Sequence, residues 1–154
     1  MPIHPTRRVL ILGALGAIAV ASTRTRAEPD RRWFAEHGVA IRGTDPVAYF
    51  RQGRPVAGRA DLALDWAGTT WRFATEANRD AFAADPARYA PAYGGFCAWA
   101  VAEGYTAPID PAAWRIVEGR LYLNYSRSIQ RRWERDIAGN IARADANWPR
   151  LAAR

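Results

Sequence analysis

The chain has 154 residues and a mass of 17.1 kDa, one domain's worth of sequence. Its composition, 49% hydrophobic and 24% charged, excludes wholesale disorder, and a single cysteine, Cys97, excludes an intrachain disulfide and any CxxC metal or redox pair. The formal charge of +7 comes from 22 basic residues, every one an arginine, against 15 acidic ones.

Much of that charge belongs to the first segment. Arg7-Arg8 precedes an apolar stretch from Val9 to Ala21. Thirteen residues are too few for a transmembrane helix, which needs about 20. A basic start, a short apolar middle and small residues afterwards read as a signal peptide over residues 1–27, and the paired arginines point to the twin-arginine route. The expected location is therefore periplasmic or otherwise exported. Cleavage fits after Ala27, where the polar Glu28-Pro29-Asp30 begins, or after Ala21; an uncleaved anchor is the alternative, and this segment is the one membrane contact expected. Taking its four arginines from the 22 leaves 18 basic against 15 acidic residues, a net charge of +3. No Arg-rich run or nucleic-acid motif remains in residues 28–154, so nucleic acid is not an expected partner.

Residues 28–154 read as one small α+β domain with two β-hairpins, a short helix after the first hairpin and a C-terminal amphipathic helical segment. Asp45-Pro46, Asp85-Pro86 and Asp110-Pro111 each predict a helix start, with Asp as cap and Pro at the first helical position. Leu62 to Trp66 and Thr69 to Phe73 flank Ala67-Gly68 and predict the first hairpin. Thr75 caps a predicted helix over Glu76 to Ala84, which Pro86 ends or restarts. Gly94-Gly95 allows unusual backbone angles and the close approach of another group. Phe96 to Glu103 predicts a short helix closed by Gly104, with Cys97 in its first turn. Trp114 to Val117 and Arg120 to Asn124 flank Glu118-Gly119 and predict the second hairpin. Ser126 caps a long helical stretch whose apolar stripe is Ile129, Trp133, Ile137, Ile141, Ala144 and Trp148. The stripe reads as core packing; Gly139-Asn140 is the expected break and Pro149 the expected end.

Several of these runs resemble the YHS domain family. Gly43-Thr44-Asp45-Pro46-Val47-Ala48-Tyr49-Phe50 looks like that domain's Asp-Pro-Val opening. Trp71-Arg72-Phe73-Ala74-Thr75, Asn78-Arg79-Asp80-Ala81-Phe82 and Asp85-Pro86-Ala87-Arg88-Tyr89 are similar to its strand, helix and Pro-Tyr close. Tyr93 to Ala100, Leu121 to Ser126 and Gly139 to Pro149 resemble an exported bacterial subgroup, so the resemblance runs from about Val39 to Leu151. It implies a small metal-binding module whose ligands are cysteines, yet the matching positions here are Ala48, Ala74 and Asn78. The family's usual site is therefore not carried over, and Asn78 is expected to hydrogen-bond across the emptied place. The subgroup sets its one cysteine in the Gly-Gly-aromatic-Cys run, here Cys97. The resemblance implies selenocysteine at that position in some members, which marks position 97 for chemistry.

A helix N-terminus would stabilise a Cys97 thiolate and lower its pKa. A cysteine among Phe96, Ala98, Trp99 and Val101 reads equally well as a small buried hydrophobe. Three functions follow. In the first, Cys97 holds a soft ion such as Cu(I), with His37 as a weak second ligand and with Gly94, Gly95, Tyr93, Tyr49 and Asn78 around it. In the second, Cys97 is a lone catalytic redox thiol that exchanges with a small thiol or oxidant through a mixed disulfide or sulfenic acid. In the third, the chain is a degenerate YHS scaffold for protein interaction. Asp45 reads as a helix cap, not an acid, and Tyr49, Tyr93, Tyr105 and Tyr125 as residues that line a pocket or close a core edge.

Overall fold

Three X-Gly dipeptides set the strands. In the computed structural model, which describes residues 32–154, both residues of each dipeptide have positive φ: His37 and Gly38 at 52° and 81°, Ala67 and Gly68 at 50° and 74°, Glu118 and Gly119 at 49° and 76°. That is the tight turn whose twist matches paired strands. The segment 1–27, with its two cleavage positions, lies outside the described residues.

Ala67-Gly68 joins β3 (Arg59–Trp66) to β4 (Thr69–Phe73), and Glu118-Gly119 joins β5 (Asp110–Val117) to β6 (Arg120–Asn124). Both expected hairpins are present. His37-Gly38 adds a third, between β1 (Ala35–Glu36) and β2 (Val39–Ala40), whose two-residue strands are too short to show alternation in sequence. β2 lies parallel to β4, with Val39 opposite Thr70, so the first sheet has the order β1-β2-β4-β3. β5 and β6 form a separate sheet. The result is an α+β domain with two sheets and a C-terminal helix.

Two of the three Asp-Pro pairs start helices. Asp45 caps α1 (Pro46–Arg51) and Asp85 caps α3 (Pro86–Tyr89), while Thr75 caps α2 (Glu76–Ala84) between them. The third does not. Asp110-Pro111 opens β5, where Asp110 pairs with Asn124 and the register shifts before Trp114. The Asp110 side chain accepts from Ala112 N–H at 2.9 Å, a local turn that competes with helix capping.

The helix expected over Phe96 to Glu103 is shorter: α4 spans Ala98–Ala102 and Cys97 is its N-cap residue. The C-terminal stretch divides into α5 (Arg127–Trp133), capped by Ser126, and α6 (Ile137–Ala152), capped by Asp136. The break therefore falls at residues 134–136, before Gly139-Asn140, because the Asp136 carboxylate takes the N–H of Gly139 at 3.0 Å. Pro149 lies inside α6, and the helix continues to Ala152 with Leu151 packed in the core. Among the described residues no helix is long and apolar enough to cross a membrane.

Two adjoining cores hold the domain. The first gathers Tyr49, Trp71, Phe73, Phe82, Cys97, Leu121 and Leu123. The second gathers Tyr93, Val101, Tyr122, Trp133 and Ala144, with Ile137, Ile141 and Trp148 packed against it. Most of the C-terminal stripe thus faces the second core; Ile129 packs against the first. Trp71 and Trp133 have no exposed surface, and truncating either to Ala would cost about 3–5 kcal/mol.

Candidate functional site

The three positions at which the resembling family carries thiols meet on one carboxylate. Asp45 is fully buried, at 0% exposure. Its Oδ1 accepts from the N–H groups of Val47 and Ala48 at 2.8 and 3.2 Å. Its Oδ2 accepts from Ala74 N–H and from the Asn78 side-chain amide, both at 2.8 Å. The fold brings residues 48, 74 and 78 together from α1, the end of β4 and α2. Asp45 is the cap that the sequence indicates, and it also ties three elements to one another. Asn78 makes the expected bond across this place. A buried carboxylate is tolerated when its lone pairs are filled, and four donors fill these.

Cys97 lies apart from that node. It is 1% exposed. Its N–H donates to Ala107 O at 3.0 Å and its carbonyl receives Val101 N–H at 3.1 Å, which fixes the chain as it enters α4. Sγ receives Tyr125 N–H at 3.3 Å and faces Asn124 Oδ1 at 3.7 Å. That Oδ1 also accepts from Trp99 N–H at 3.1 Å. Asn124 is therefore the polar partner of the thiol; sequence reading treats it only as the last residue of a strand. Asn124 is 0% exposed, and its Nδ2 has no hydrogen-bond partner among the described residues. Burial pushes the Cys97 thiol pKa up, against a lesser downward pull from the N–H groups of Ala100, Tyr125 and Trp99. This corrects the expected lowering. α4 has only five residues, and loss of water at Sγ outweighs the pull of its N–H groups.

The other expected site residues are placed by the fold as follows. His37 occupies the exposed β1–β2 turn at φ 52°, a left-handed conformation that His adopts more readily than most residues. Tyr49 is buried and its hydroxyl donates to Pro111 O at 2.8 Å, tying α1 to β5. Tyr105 and Tyr125 are exposed, at 52% and 57%. Tyr93, Gly94 and Gly95 form a left-handed run at φ 55°, 61° and 80°. The group that approaches these glycines closely is the chain itself. A Cβ on Gly94 would run into the Arg32 carbonyl, and one on Gly95 would lie 2.7 Å from Ile41 Cγ2. Ile41 is itself left-handed, at φ 40°, a strain of about 1–3 kcal/mol for a residue of its kind. Two strained turns are thus packed against each other.

Tyr93 also belongs to a cleft of about 270 Å³ at the seam between the two cores. Trp33, Trp66 and Trp148 line it beside Tyr93, with Arg88 and Arg120. Trp33 and Trp66 meet at 5.1 Å between centroids with their planes tilted by 55° and pack against the first core; Trp148 lies 6.0 Å from Tyr93 and packs against the second. The Tyr93 hydroxyl donates to Asp145 Oδ1 at 2.8 Å, which fixes the ring. The reading of Tyr93 as a pocket-lining residue is the sequence signal for this cleft; its other lining residues are spread from Trp33 to Trp148 and share no local motif.

Among the described residues no group of three or more His, Cys, Asp or Glu is placed to hold a metal ion. Neither a protein-family model, nor a curated protein, nor a solved structure matches this chain.

Proposed function

We propose that the protein is an exported, YHS-like binding module that works through its surface, with Cys97 serving as part of the scaffold. The observation that carries this reading is the Asp45 node. Positions 48, 74 and 78 converge as a three-ligand site would require, and a carboxylate bonded by four N–H groups fills the space between them. The resemblance to an exported YHS subgroup supports the family reading, and the twin-arginine-type signal expected over residues 1–27 supports the location.

The soft-metal and lone-thiol readings both run through Cys97 Sγ. That atom faces inward, is held by Tyr125 N–H and keeps its proton to higher pH than a free thiol. These facts favour the scaffold over either alternative. A thiol of raised pKa is also a poor resting nucleophile.

The test is the native intact mass and metal content of the exported protein after a copper challenge, beside Cys97→Ser treated in the same way. The scaffold reading expects no metal, oxygen or thiol increment that depends on Cys97. A stoichiometric copper increment lost in Cys97→Ser would restore the metal reading. An oxygen or thiol-conjugate increment lost in that variant would restore the redox reading.

A further inference from the structure

We propose that the cleft at the seam between the cores binds a small anionic ligand with a flat ring: the indoles of Trp33, Trp66 and Trp148 take the ring, and Arg88 and Arg120 take the carboxylate or other acidic group. This deepens the binding-module reading and rests on it.

The walls have one chemistry. Among the described residues no acidic side chain lines the cleft or the adjoining cleft of similar volume that shares Trp33, Gly94 and Trp148; Asp145 stands behind Tyr93 and Arg120. Among the described residues Arg88 makes no ion pair, and its guanidinium lies 5.5 Å from the centroid of the Tyr89 ring, a placement that leaves its edge donors available. Arg120 stands over Tyr93 at 5.9 Å and over Tyr122 at 5.6 Å. Its ion pair to Asp145 is long at 3.8 Å, and both side chains are 52% exposed, so solvent screens it and a ligand anion can compete. A planar guanidinium on an aromatic shelf suits bidentate recognition of a carboxylate.

The site is also held rigid. Tyr93 is left-handed in one run with Gly94 and Gly95, and its hydroxyl is fixed by Asp145. Strained, over-determined residues gather where a ligand is clamped. At about 270 Å³ the volume lies just below the usual range for small-molecule pockets, about 300–1,000 Å³, which fits one or two fused rings and not a larger ligand.

The experiment uses the exported protein labelled with nitrogen-15, and follows its indole N–H signals during titration with 2-naphthoate, with neutral 2-naphthylmethanol and with cationic 2-naphthylmethylamine. Naphthoate is expected to shift the Trp33, Trp66 and Trp148 signals and to leave those of buried Trp71 and Trp133 in place. Loss of one charge-assisted contact in Arg88→Ala is expected to weaken naphthoate binding about tenfold, and the neutral alcohol, which loses the contacts to both arginines, is expected to bind more weakly still. Arg88 is exposed, so its truncation leaves the fold intact; Arg120→Ala serves as an independent second variant. Equal binding of all three compounds, shifts confined to other tryptophans, or no shift at millimolar naphthoate would each overturn the proposal. The copper challenge is independent. A metal-free protein that ignores naphthoate keeps the scaffold reading and loses the cleft, whereas Cys97-bound copper removes the scaffold reading whatever the naphthoate does.

Discussion

The side-chain amide of Asn78 donates to Asp45 Oδ2 at 2.8 Å, both groups buried and 33 residues apart in the chain. Through this one bond the start of α1 is tied to α2. Replacing Asn78 by Ala removes a donor to a buried charge and should cost about 1–3 kcal/mol, read from urea unfolding. Asn78→Asp should do worse at neutral pH, because it sets a second carboxylate against the first. It also replaces the amide N–H that Asp45 Oδ2 accepts with a carboxylate oxygen, so the loss should exceed that of Asn78→Ala. Unfolding midpoints of Asn78→Ala and Asn78→Asp equal to that of the unaltered protein would show that this bond does not hold α1 to α2.

The Cys97 thiol and the phenols of Tyr49, Tyr93 and Tyr122 are all pushed up, chiefly by burial; Asp110 adds to the effect on Tyr49 and Asp145 to that on Tyr93. A group with a raised folded pKa contributes stability that is complete below its unfolded pKa and is lost as the pH climbs through the folded one. The unfolded values are about 8.5 for a thiol and about 10 for a phenol. The protein should therefore lose stability in two stages on the alkaline side, and Cys97→Ser should abolish the first. The same burial protects Sγ from reagents. If access needs a local opening of about 3 kcal/mol, a disulfide reagent at pH 8 reacts about a hundredfold more slowly than with unfolded chain. Thiol labelling at equal rates in native protein and in denaturant would contradict this.

Local chemistry was the legible part of the sequence. Ala67-Gly68 and Glu118-Gly119 announced their hairpins, and Thr75, Ser126, Asp45 and Asp85 announced their caps. What was hidden depends on pairing across the chain. Asp110-Pro111 has the same local signature as the other two Asp-Pro pairs, and only its pairing with Asn124 makes it a strand. Asn124 itself reads as a strand end, and nothing near it in sequence says that Cys97 and Trp99 will meet its amide oxygen. The convergence of residues 48, 74 and 78 was suggested only by resemblance; the carboxylate that fills it comes from Asp45, whose role as a cap concealed a second role.

Gly94 and Gly53 have nearly the same φ, 61° and 63°, but different surroundings. A Cβ at Gly53 meets nothing within 4 Å, whereas one at Gly94 collides with the Arg32 backbone and comes within 3.3 Å of Trp148. Gly53→Ala should therefore show the backbone term alone, about 1–2 kcal/mol. Gly94→Ala should add the steric cost of displacing the chain that enters β1, and with it the Phe34 N–H to Gly94 O bond of 2.8 Å. Thermal unfolding of the two variants separates the effects. Equal losses would mean that the close approach at Gly94 is easily relaxed.

Gly139 gives a prediction whose sign can be reversed. In the first turn of a helix, Gly→Ala normally stabilises by about 0.5–1 kcal/mol, because alanine has less backbone freedom to lose. Here a Cβ would strike the carboxylate of Asp136, the residue that caps α6 by accepting Gly139 N–H. Gly139→Ala should therefore destabilise the protein. Asp136→Ala alone should cost about 1 kcal/mol through loss of the cap. With that carboxylate gone the collision goes too, so Gly139→Ala should become stabilising when measured in the Asp136→Ala background. The double-mutant cycle thus reports a coupling between the two sites that neither single change contains. Additive effects would mean that the Asp136 side chain leaves Gly139 without cost, and that the break between α5 and α6 is held by something other than this cap.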